Sequence, residues 1–173
     1  RHQGKVMIVT GAGNGIGRAT VLRLAAEGAR VIGCDMVQAA LDETAKLAAE
    51  KNLKLELMQA DITSQADVDK VVAAAGERID ALCNVAGIMD WFLPAGEVDD
   101  ATWDRVIAVN VTGPMRLARA VLPIMEKQGG GAIVTVASKA SVGAGAAVGA
   151  GVAAGVTGAC VAGATGCVAG AGV

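Results

Sequence analysis

A glycine-rich turn between a predicted strand and a predicted helix constrains this chain most. Residues 10–17 read TGAGNGIG, after an apolar run at 6–9 and before a segment with helical periodicity. Such a turn lets backbone approach a phosphate, and the first N–H groups of the helix point at it. Gly11, Gly15 and Gly17 are spaced G-x-x-x-G-x-G, unlike G-x-G-x-x-G and without the Gly-Lys-Ser/Thr ending of an NTPase loop.

The second predicted strand favours a nucleotide site over a turn that needs its glycines for packing alone. This strand ends in Asp35, which follows Gly17 by 18 positions. A dinucleotide-binding fold places there the acid that binds the adenosine ribose hydroxyls. A carboxylate accepts from a 2′-hydroxyl and repels a 2′-phosphate, so Asp35 predicts NAD rather than NADP. Asn14 and Met36 offer no base that would bind a 2′-phosphate.

Composition excludes several other classes of site. The net charge of -2 and a pI near 5.4 argue against a nucleic-acid partner. His2 is the one histidine, and the four cysteines lack C-x-x-C spacing, so no metal site and no Ser-His-Asp triad are expected. Cys34 and Cys83 lie in apolar strand segments, which predicts buried, reduced thiols. The sequence starts without a leader-like apolar stretch, and we expect a cytoplasmic protein.

Strand and helix patterns alternate along the chain. Strands are expected at 5–10, 30–35, 54–60, 79–85 and 132–137, and helices at 15–27, 38–51, 64–76 and 99–127. Pro114 is expected to kink or interrupt the last helix, with Pro123 near its end. Arg18 and Arg30 are predicted to be surface residues. The alternation predicts an α/β fold with a Rossmann-type, doubly wound parallel sheet in a single domain, which binds ligands at the carboxyl ends of its strands.

Composition changes sharply at about residue 142. Residues 143–173 contain only Gly, Ala, Val, Thr and Cys. We therefore divide the domain into a nucleotide-binding core at 1–142 and an anomalous tail at 143–173, and expect the fold to be incomplete at its C-terminus. The tail is open to three interpretations: a genuine tail, a frameshift or truncation product, or small residues standing in for unidentified or misassigned side chains. The third is favoured, because a frameshift would still produce Arg, Pro or Leu. A membrane span is disfavoured, because the tail lacks Leu, Ile and Phe.

Several motifs in residues 5–138 resemble those of a classical short-chain dehydrogenase/reductase, in the family's order and spacing. They are the TGxxxGxG loop, Asp61-Ile62-Thr63 after the third strand, Asn84-Val85-Ala86-Gly87 resembling N-N-A-G, Asn110 in the last helix and Ser138 after the fifth strand. Taken singly, Asp61, Asn84 and Ser138 also fit turn-forming roles. The resemblance implies NAD as cofactor, bound by Gly11, Asn14, Gly15, Ile16, Gly17, Asp35, Met36, Asp61, Ile62, Asn84, Ala86 and Gly87.

The resemblance also implies an NAD-dependent oxidoreductase that interconverts a secondary alcohol and a ketone. Ser138 would orient the reacting oxygen, and Asn110 would support a proton-relay water. The family's base is a tyrosine assisted by a lysine, and the corresponding positions here are Gly151 and Gly155, in a chain without tyrosine. The alternative is a catalytically inactive dinucleotide-binding or scaffolding homologue. The resemblance further implies a small-molecule alcohol or ketone as substrate and a homodimer or homotetramer built on the helix at 99–127.

Overall fold

The computed structural model describes residues 1–91, 93–94 and 96–137 of the chain. The chain divides into two compact units, Arg1–Thr135 and Val136–Val173. All the helices and strands described below belong to the first unit. The predicted catalytic residue Ser138, and positions 151 and 155, lie outside the described residues.

Five parallel strands form one sheet, which confirms the predicted α/β architecture. In chain order they are β1 (Val6–Thr10), β2 (Arg30–Asp35), β3 (Glu56–Gln59), β4 (Ala81–Asn84) and β5 (Ala132–Thr135). They lie side by side in the order β3-β2-β1-β4-β5. The strand order reverses at β1, because β2 and β3 lie on one side of it and β4 and β5 on the other. The carboxyl ends of β1 and β4 therefore flank the crevice where parallel sheets of this kind bind ligands.

Helices connect the strands, and three of them begin after a residue whose side chain caps the helix. In chain order they are α1 (Gly15–Ala26), α2 (Gln38–Glu50), α3 (Gln65–Ala75), α4 (Asp100–Ile107) and α5 (Gly113–Lys127). The side chain of Ser64 accepts from the Asp67 amide at the start of α3, as the sequence predicts. Asp99 does the same for the Thr102 amide at the start of α4, over 2.6 Å. In the part of the chain that the structure describes, no helix is both long and apolar enough to span a membrane.

Hydrophobic cores cover both faces of the sheet, because side chains alternate along each strand. Ile8, Ile32 and Leu82 are fully buried in the core shared with α3 and α5. Val9 and Val31 belong to the opposite core, shared with α1 and α2. Burying one such side chain stabilises the fold by about 1.5–3 kcal/mol. The two cores thus fix the strands and the positions at which they end.

The first strand is one residue shorter than the sequence predicts, and three others are shorter by two or three residues. The segments expected at 54–60, 79–85 and 132–137 form ladders only at Glu56–Gln59, Ala81–Asn84 and Ala132–Thr135. Among the described residues β3 pairs only with β2, and β5 only with β4. A residue joins a ladder only where a neighbouring strand lies opposite it, and a pattern of apolar residues does not record this.

The helix predicted at 99–127 is two α-helices, α4 and α5, joined by a π-helical turn at Ala108–Thr112. Pro114 lies in the first turn of α5, where its missing N–H costs least, so the predicted interruption is confirmed. Pro123 lies inside α5, which continues to Lys127. Single π-helical turns are frequent at functional sites, and this one contains Asn110.

Candidate functional site

The loop after β1 brings backbone groups close together. A Cβ at Gly17 would lie 1.9 Å from the carbonyl oxygen of Gly11, so α1 packs directly against the strand end. Gly11 itself has a φ of +69°, and a Cβ there would meet the backbone of Ala86 at 3.0 Å. Gly15 has a φ of +48° and open space where a Cβ would stand. Steric exclusion therefore accounts for Gly11 and Gly17, whereas Gly15 leaves the start of the helix uncovered.

A groove with a volume of about 560 Å³ runs along the carboxyl ends of the strands. The loops after β1, β2, β3 and β4 line it. The structure brings all but one of the predicted cofactor residues together around this groove: Gly11, Asn14, Gly15, Ile16, Gly17, Asp35, Met36, Asp61, Ile62, Ala86 and Gly87. Their contacts with a cofactor stay a prediction, but their shared location does not depend on one.

Asn84, the remaining predicted cofactor residue, does not line the groove. It ends β4, opposite Thr135 of β5, and is 3% exposed. Its side-chain oxygen has no hydrogen-bond partner among the described residues. A buried amide oxygen without a partner costs about 1–3 kcal/mol, so this side chain has an unused capacity to accept a hydrogen bond.

Asp35 is held in a fixed position at the end of β2. One carboxylate oxygen accepts from the amide of Gly13 at 2.9 Å, and the other accepts from the amide of Val37 at 3.0 Å. These bonds connect the second strand end to the glycine loop. The carboxylate also lines the groove, and each oxygen has further lone pairs with which to accept.

The turn after β3 supplies a second acid. One oxygen of Asp61 accepts from both the amide and the hydroxyl of Thr63, at 2.8 and 2.7 Å. Asp61 thus forms the Asx turn considered from the sequence while also lining the groove. Ile62 is 7% exposed and packs against the start of α5, where a Cβ at Gly113 would lie 2.7 Å from it.

Thr10 makes a contribution that the sequence analysis does not assign. Its buried hydroxyl accepts from the amides of Val85 and Ala86, each at 3.0 Å. This single side chain ties the loop after β4 to the end of β1, across the crevice. The signal for it was present in the sequence, because a threonine at a strand end has a hydroxyl available to neighbouring loops.

Asn110 acts on backbone in this structure. Its side-chain oxygen accepts from the Ile88 amide at 2.9 Å, and its side-chain nitrogen donates to the Ile88 carbonyl at 2.8 Å. The reciprocal pair anchors the loop after β4 to the π-helical turn. This explains why an asparagine, a poor helix former, occupies this position. Ser138, its predicted catalytic partner, lies outside the described residues.

Other groove residues were not predicted from the sequence, because all of them except Val85 lie outside the motifs. Those not predicted are Cys34, Val37, Ala60, Val85, Ile88, Arg105 and Val109. Cys34 is fully buried as predicted, and burial raises the pKa of its thiol to about 12, with a smaller contribution from the Asp35 charge. Cys83 is only partly buried, contrary to the prediction, because β4 is covered less completely there than β1 and β2.

The surface role predicted for Arg18 is wrong. Only 22% of its side chain is exposed, and its guanidinium donates to the carbonyl of Gly13, the hydroxyl of Thr44 and the carboxylate of Glu43. The first turn of α1 points this side chain back over the glycine loop towards α2. Arg30, in contrast, is exposed as predicted.

Comparison with known proteins decides the family. The sequence profile described as short chain dehydrogenase matches residues 5–157. The chain belongs to this family. It is 43% identical over 144 residues to the short chain dehydrogenase andC of Emericella variicolor, covering 81% of this chain and 55% of that protein. The chain thus spans about half the length of such relatives.

Solved structures agree on the fold and differ in cofactor. A crystal structure of NAD+-bound xylitol dehydrogenase has a TM-score of 0.75 at 39% identity, over 82% of this chain and 56% of that one. A crystal structure of actinorhodin polyketide ketoreductase with NADPH also has a TM-score of 0.75, at 34% identity, over 80% of this chain and 54% of that one. The family likeness alone therefore leaves the choice between the two nicotinamide dinucleotides open.

The groove has the features needed to bind a nicotinamide dinucleotide. The glycine loop leaves the start of α1 open at Gly15, where helix N–H groups favour a pyrophosphate. Asp35 and Asp61 provide acceptors suited to hydroxyl and amino groups further along the groove. A groove of this volume, lined by apolar side chains and a few polar groups, is typical of ligand sites.

Proposed function

We propose that this protein is an NAD-dependent oxidoreductase that interconverts a secondary alcohol and a ketone. The observation that carries the proposal is the carboxylate of Asp35, held by the amides of Gly13 and Val37 beside the open glycine loop. Membership of the short-chain dehydrogenase family supports the reaction class. The NAD+-bound xylitol dehydrogenase with a similar fold supports the cofactor.

The preference for NAD follows from charge. The Asp35 carboxylate can accept from both hydroxyls of an adenosine ribose, whereas a 2′-phosphate there would place two anions within a few ångströms. Two unit charges 4 Å apart interact by about 1–4 kcal/mol at dielectrics between those of water and a protein surface. Each 1.4 kcal/mol is about tenfold in affinity, so a preference of at least about fivefold is expected. Met36, 57% exposed beside it, offers no compensating cation.

The catalytic roles follow the family likeness. Bound NAD supplies the hydride acceptor. Ser138 is proposed to orient the substrate oxygen, and Asn110 to support a proton-relay water from the π-helical turn. The hydrogen bonds of Asn110 to Ile88 support the second role, because they fix the backbone of this turn next to the groove. The general base would be a tyrosine with a lysine beside it, at the positions printed Gly151 and Gly155.

Assembly and location are proposed from the same likeness. We propose a homodimer or homotetramer that acts on a small alcohol or ketone, packed through α4, α5 and the turn between them. Large apolar side chains exposed there support this: Trp103, Val111, Met115 and Leu122. A cytoplasmic location is supported by the free thiols of Cys34 and Cys83.

The proposal is tested by binding and turnover measured separately. Calorimetric titration with NADH and NADPH gives the cofactor, and a panel of secondary alcohols with NAD+ gives the activity. Replacing Asp35 by Ala should weaken NADH binding about tenfold and abolish the preference over NADPH. The matched control is Asp42→Ala, which removes an exposed carboxylate of α2 that accepts from Gln38 and does not line the groove.

The competing reading is the inactive dinucleotide-binding homologue, and one result identifies it. NADH binding without oxidation of any alcohol, in a chain whose peptide masses confirm glycine at 151 and 155, would overturn the enzymatic proposal. A tyrosine and a lysine at these positions, with turnover, would support it. Tighter binding of NADPH than of NADH would overturn the assignment of NAD.

A further inference from the structure

The side of the glycine loop that faces away from the groove packs against α1 and α2. Ala12 and Gly13 do not line the groove, unlike the residues on either side of them. A Cβ at Gly13 would lie 2.8 Å from the Cβ of Ala40 and 2.9 Å from the Asp35 carboxylate. The loop therefore has an inner side against α2 and an outer side towards the groove.

Both ends of the Gly13 residue are bonded on this inner side. Its amide donates to Asp35 at 2.9 Å, and its carbonyl accepts from the guanidinium of Arg18, with Nε at 3.0 Å. The buried hydroxyl of Thr44 lies 3.0 Å from the carbonyl oxygens of Ala12 and Ala40, which share its one proton as acceptors. Arg18 Nε also donates to this hydroxyl at 3.0 Å, so the two side chains form one network.

The position of Arg18 is itself fixed. Its Nη2 donates to the Glu43 carboxylate at 2.9 Å and approaches the Ala40 carbonyl at 3.4 Å. The charge of this guanidinium is thus balanced by a carboxylate of α2 and directed at the loop carbonyl. A planar fork with several donors can serve two acceptors at once, which an ammonium group does with less geometric control.

We propose that Arg18, with Thr44, is a positioning residue for the dinucleotide site. By holding the carbonyls of Ala12 and Gly13 towards α2, the pair keeps them out of the groove. The amides at the start of α1 are left to face it. The inference rests on the proposed function, because it explains the affinity of the same groove for a dinucleotide. Pre-organisation of this kind acts on binding rather than on the chemical step.

The test compares Arg18→Met, Arg18→Lys and a matched control, Arg30→Met. Arg30 likewise donates to one carboxylate, that of Glu56, and to two backbone carbonyls, those of Ala74 and Ala75. It lies at the start of β2, away from the groove. NADH affinity is measured by calorimetry, KM for NAD+ and kcat by initial rates, and amide exchange of the loop by mass spectrometry.

Loss of charge-assisted bonds to the loop should raise the Kd for NADH and the KM for NAD+ about tenfold in Arg18→Met. The value of kcat should stay within about twofold, and Arg18→Lys should recover part of the affinity. Exchange in the loop should accelerate in Arg18→Met and not in Arg30→Met. Wild-type affinity in Arg18→Met, or an equal loss in Arg30→Met, would overturn the inference while leaving the proposed function intact.

A second variant covers the case in which Arg18→Met does not fold. Thr44→Val keeps the shape of the buried side chain and removes the bond to the Ala12 carbonyl. It should raise the Kd for NADH several-fold, and an unchanged Kd would contradict the inference. If the wild-type protein binds neither NADH nor NADPH, the proposed function and this inference both fail.

Discussion

The two ends of the sheet use polar groups in opposite ways. At the amino end, the Asp80 carboxylate is satisfied by Lys5, by the Val6 amide and by a bidentate Arg78, all within 2.9 Å. At the carboxyl end, the buried side-chain oxygen of Asn84 has no partner among the described residues. Saturated polar groups stabilise a fold, whereas groups with remaining capacity can bind a ligand. The difference supports the proposal that a ligand binds at the carboxyl end.

Breaking the carboxyl end should have the largest effect on binding. In Gly17→Ala the new Cβ would overlap the Gly11 carbonyl, which is backbone and cannot turn aside. We expect the Kd for NADH to rise at least about 100-fold and the protein to lose about 1–3 kcal/mol of stability. Calorimetry and thermal unfolding measure the two effects.

The control for this substitution is Gly131→Ala at the other end. There the atoms nearest to a Cβ belong to the Met125 side chain, at 2.5 Å, and this side chain can adopt another rotamer. NADH affinity should not change. A Gly17→Ala protein that binds NADH as wild type would show that the close contact between loop and helix is not required.

Breaking the amino end should affect stability alone. Asp80→Asn removes the charge that pairs with Lys5 and Arg78, and we expect a loss of about 2 kcal/mol, because both cations are about half exposed and screened by solvent. Denaturant unfolding measures this loss. The Kd for NADH of the folded variant should equal that of the wild type, and a parallel loss of affinity would contradict the division between the two ends.

The stability that Asp80 contributes should depend on pH in a defined direction. The hydrogen bonds from Arg78, with those from Val6 and Lys5, hold the pKa of the carboxyl well below its usual range. An aspartate in the unfolded chain has a pKa of about 3.9. The contribution is therefore complete above about pH 5 and is lost as pH falls towards the folded pKa. The difference in unfolding free energy between wild type and Asp80→Asn should be constant from about pH 5 to 8 and narrow below about pH 4.

A smaller effect is expected where Asn110 anchors the loop after β4 to the π-helical turn. Asn110→Ala removes both bonds to the Ile88 backbone, which should cost about 1 kcal/mol and speed amide exchange at Ile88. Asn110→Asp keeps the acceptor for the Ile88 amide and loses the donor, so exchange at this amide should change less. Equal exchange rates in wild type and Asn110→Ala would refute the anchoring role.

The smallest effect concerns Cys34, which lies against the groove without reactivity. Burial raises the pKa of this thiol to about 12, so almost none of it is thiolate near neutral pH. Iodoacetamide should leave Cys34 unmodified in the native protein at pH 7–8, as read by peptide mass spectrometry, and modify it after denaturation. Rapid native labelling of Cys34 would show that the groove wall opens.

Much of the carboxyl end could be predicted because its residues follow strands in fixed motifs. Gly11, Gly17 and Asp35 are recognisable from spacing, since steric exclusion requires glycine at the first two positions and the proposed ribose contact requires an acid at the third. The hydroxyl of Thr10 is recognisable in the sequence, but the Val85 amide that it binds lies 75 positions away. The partners of Arg18 on α2 lie 25 and 26 positions away, and both roles depend on how the loops meet. Arg18 in particular resembles any surface arginine until α2 is placed beside it.

The fold was predictable in kind and less so in detail. Apolar runs, and an alternating pattern for β3, located every described strand, but ladder length depends on the neighbouring strand, as β3 and β5 show. Pro114 indicated a break in the long helix, yet nothing in the sequence specifies that the break is a π-helical turn. The unfilled oxygen of Asn84 is likewise a property of packing, which asparagine at a strand end does not reveal by itself.

The most direct test of the proposed site is the relative affinity of the protein for NADH and NADPH, measured by calorimetry at one salt concentration. If Asp35 binds the ribose at the carboxyl end of β2, NADH should bind at least about fivefold more tightly, and the preference should vanish in Asp35→Ala. Equal affinities in the wild-type protein, or a preference unchanged in Asp35→Ala, would contradict it.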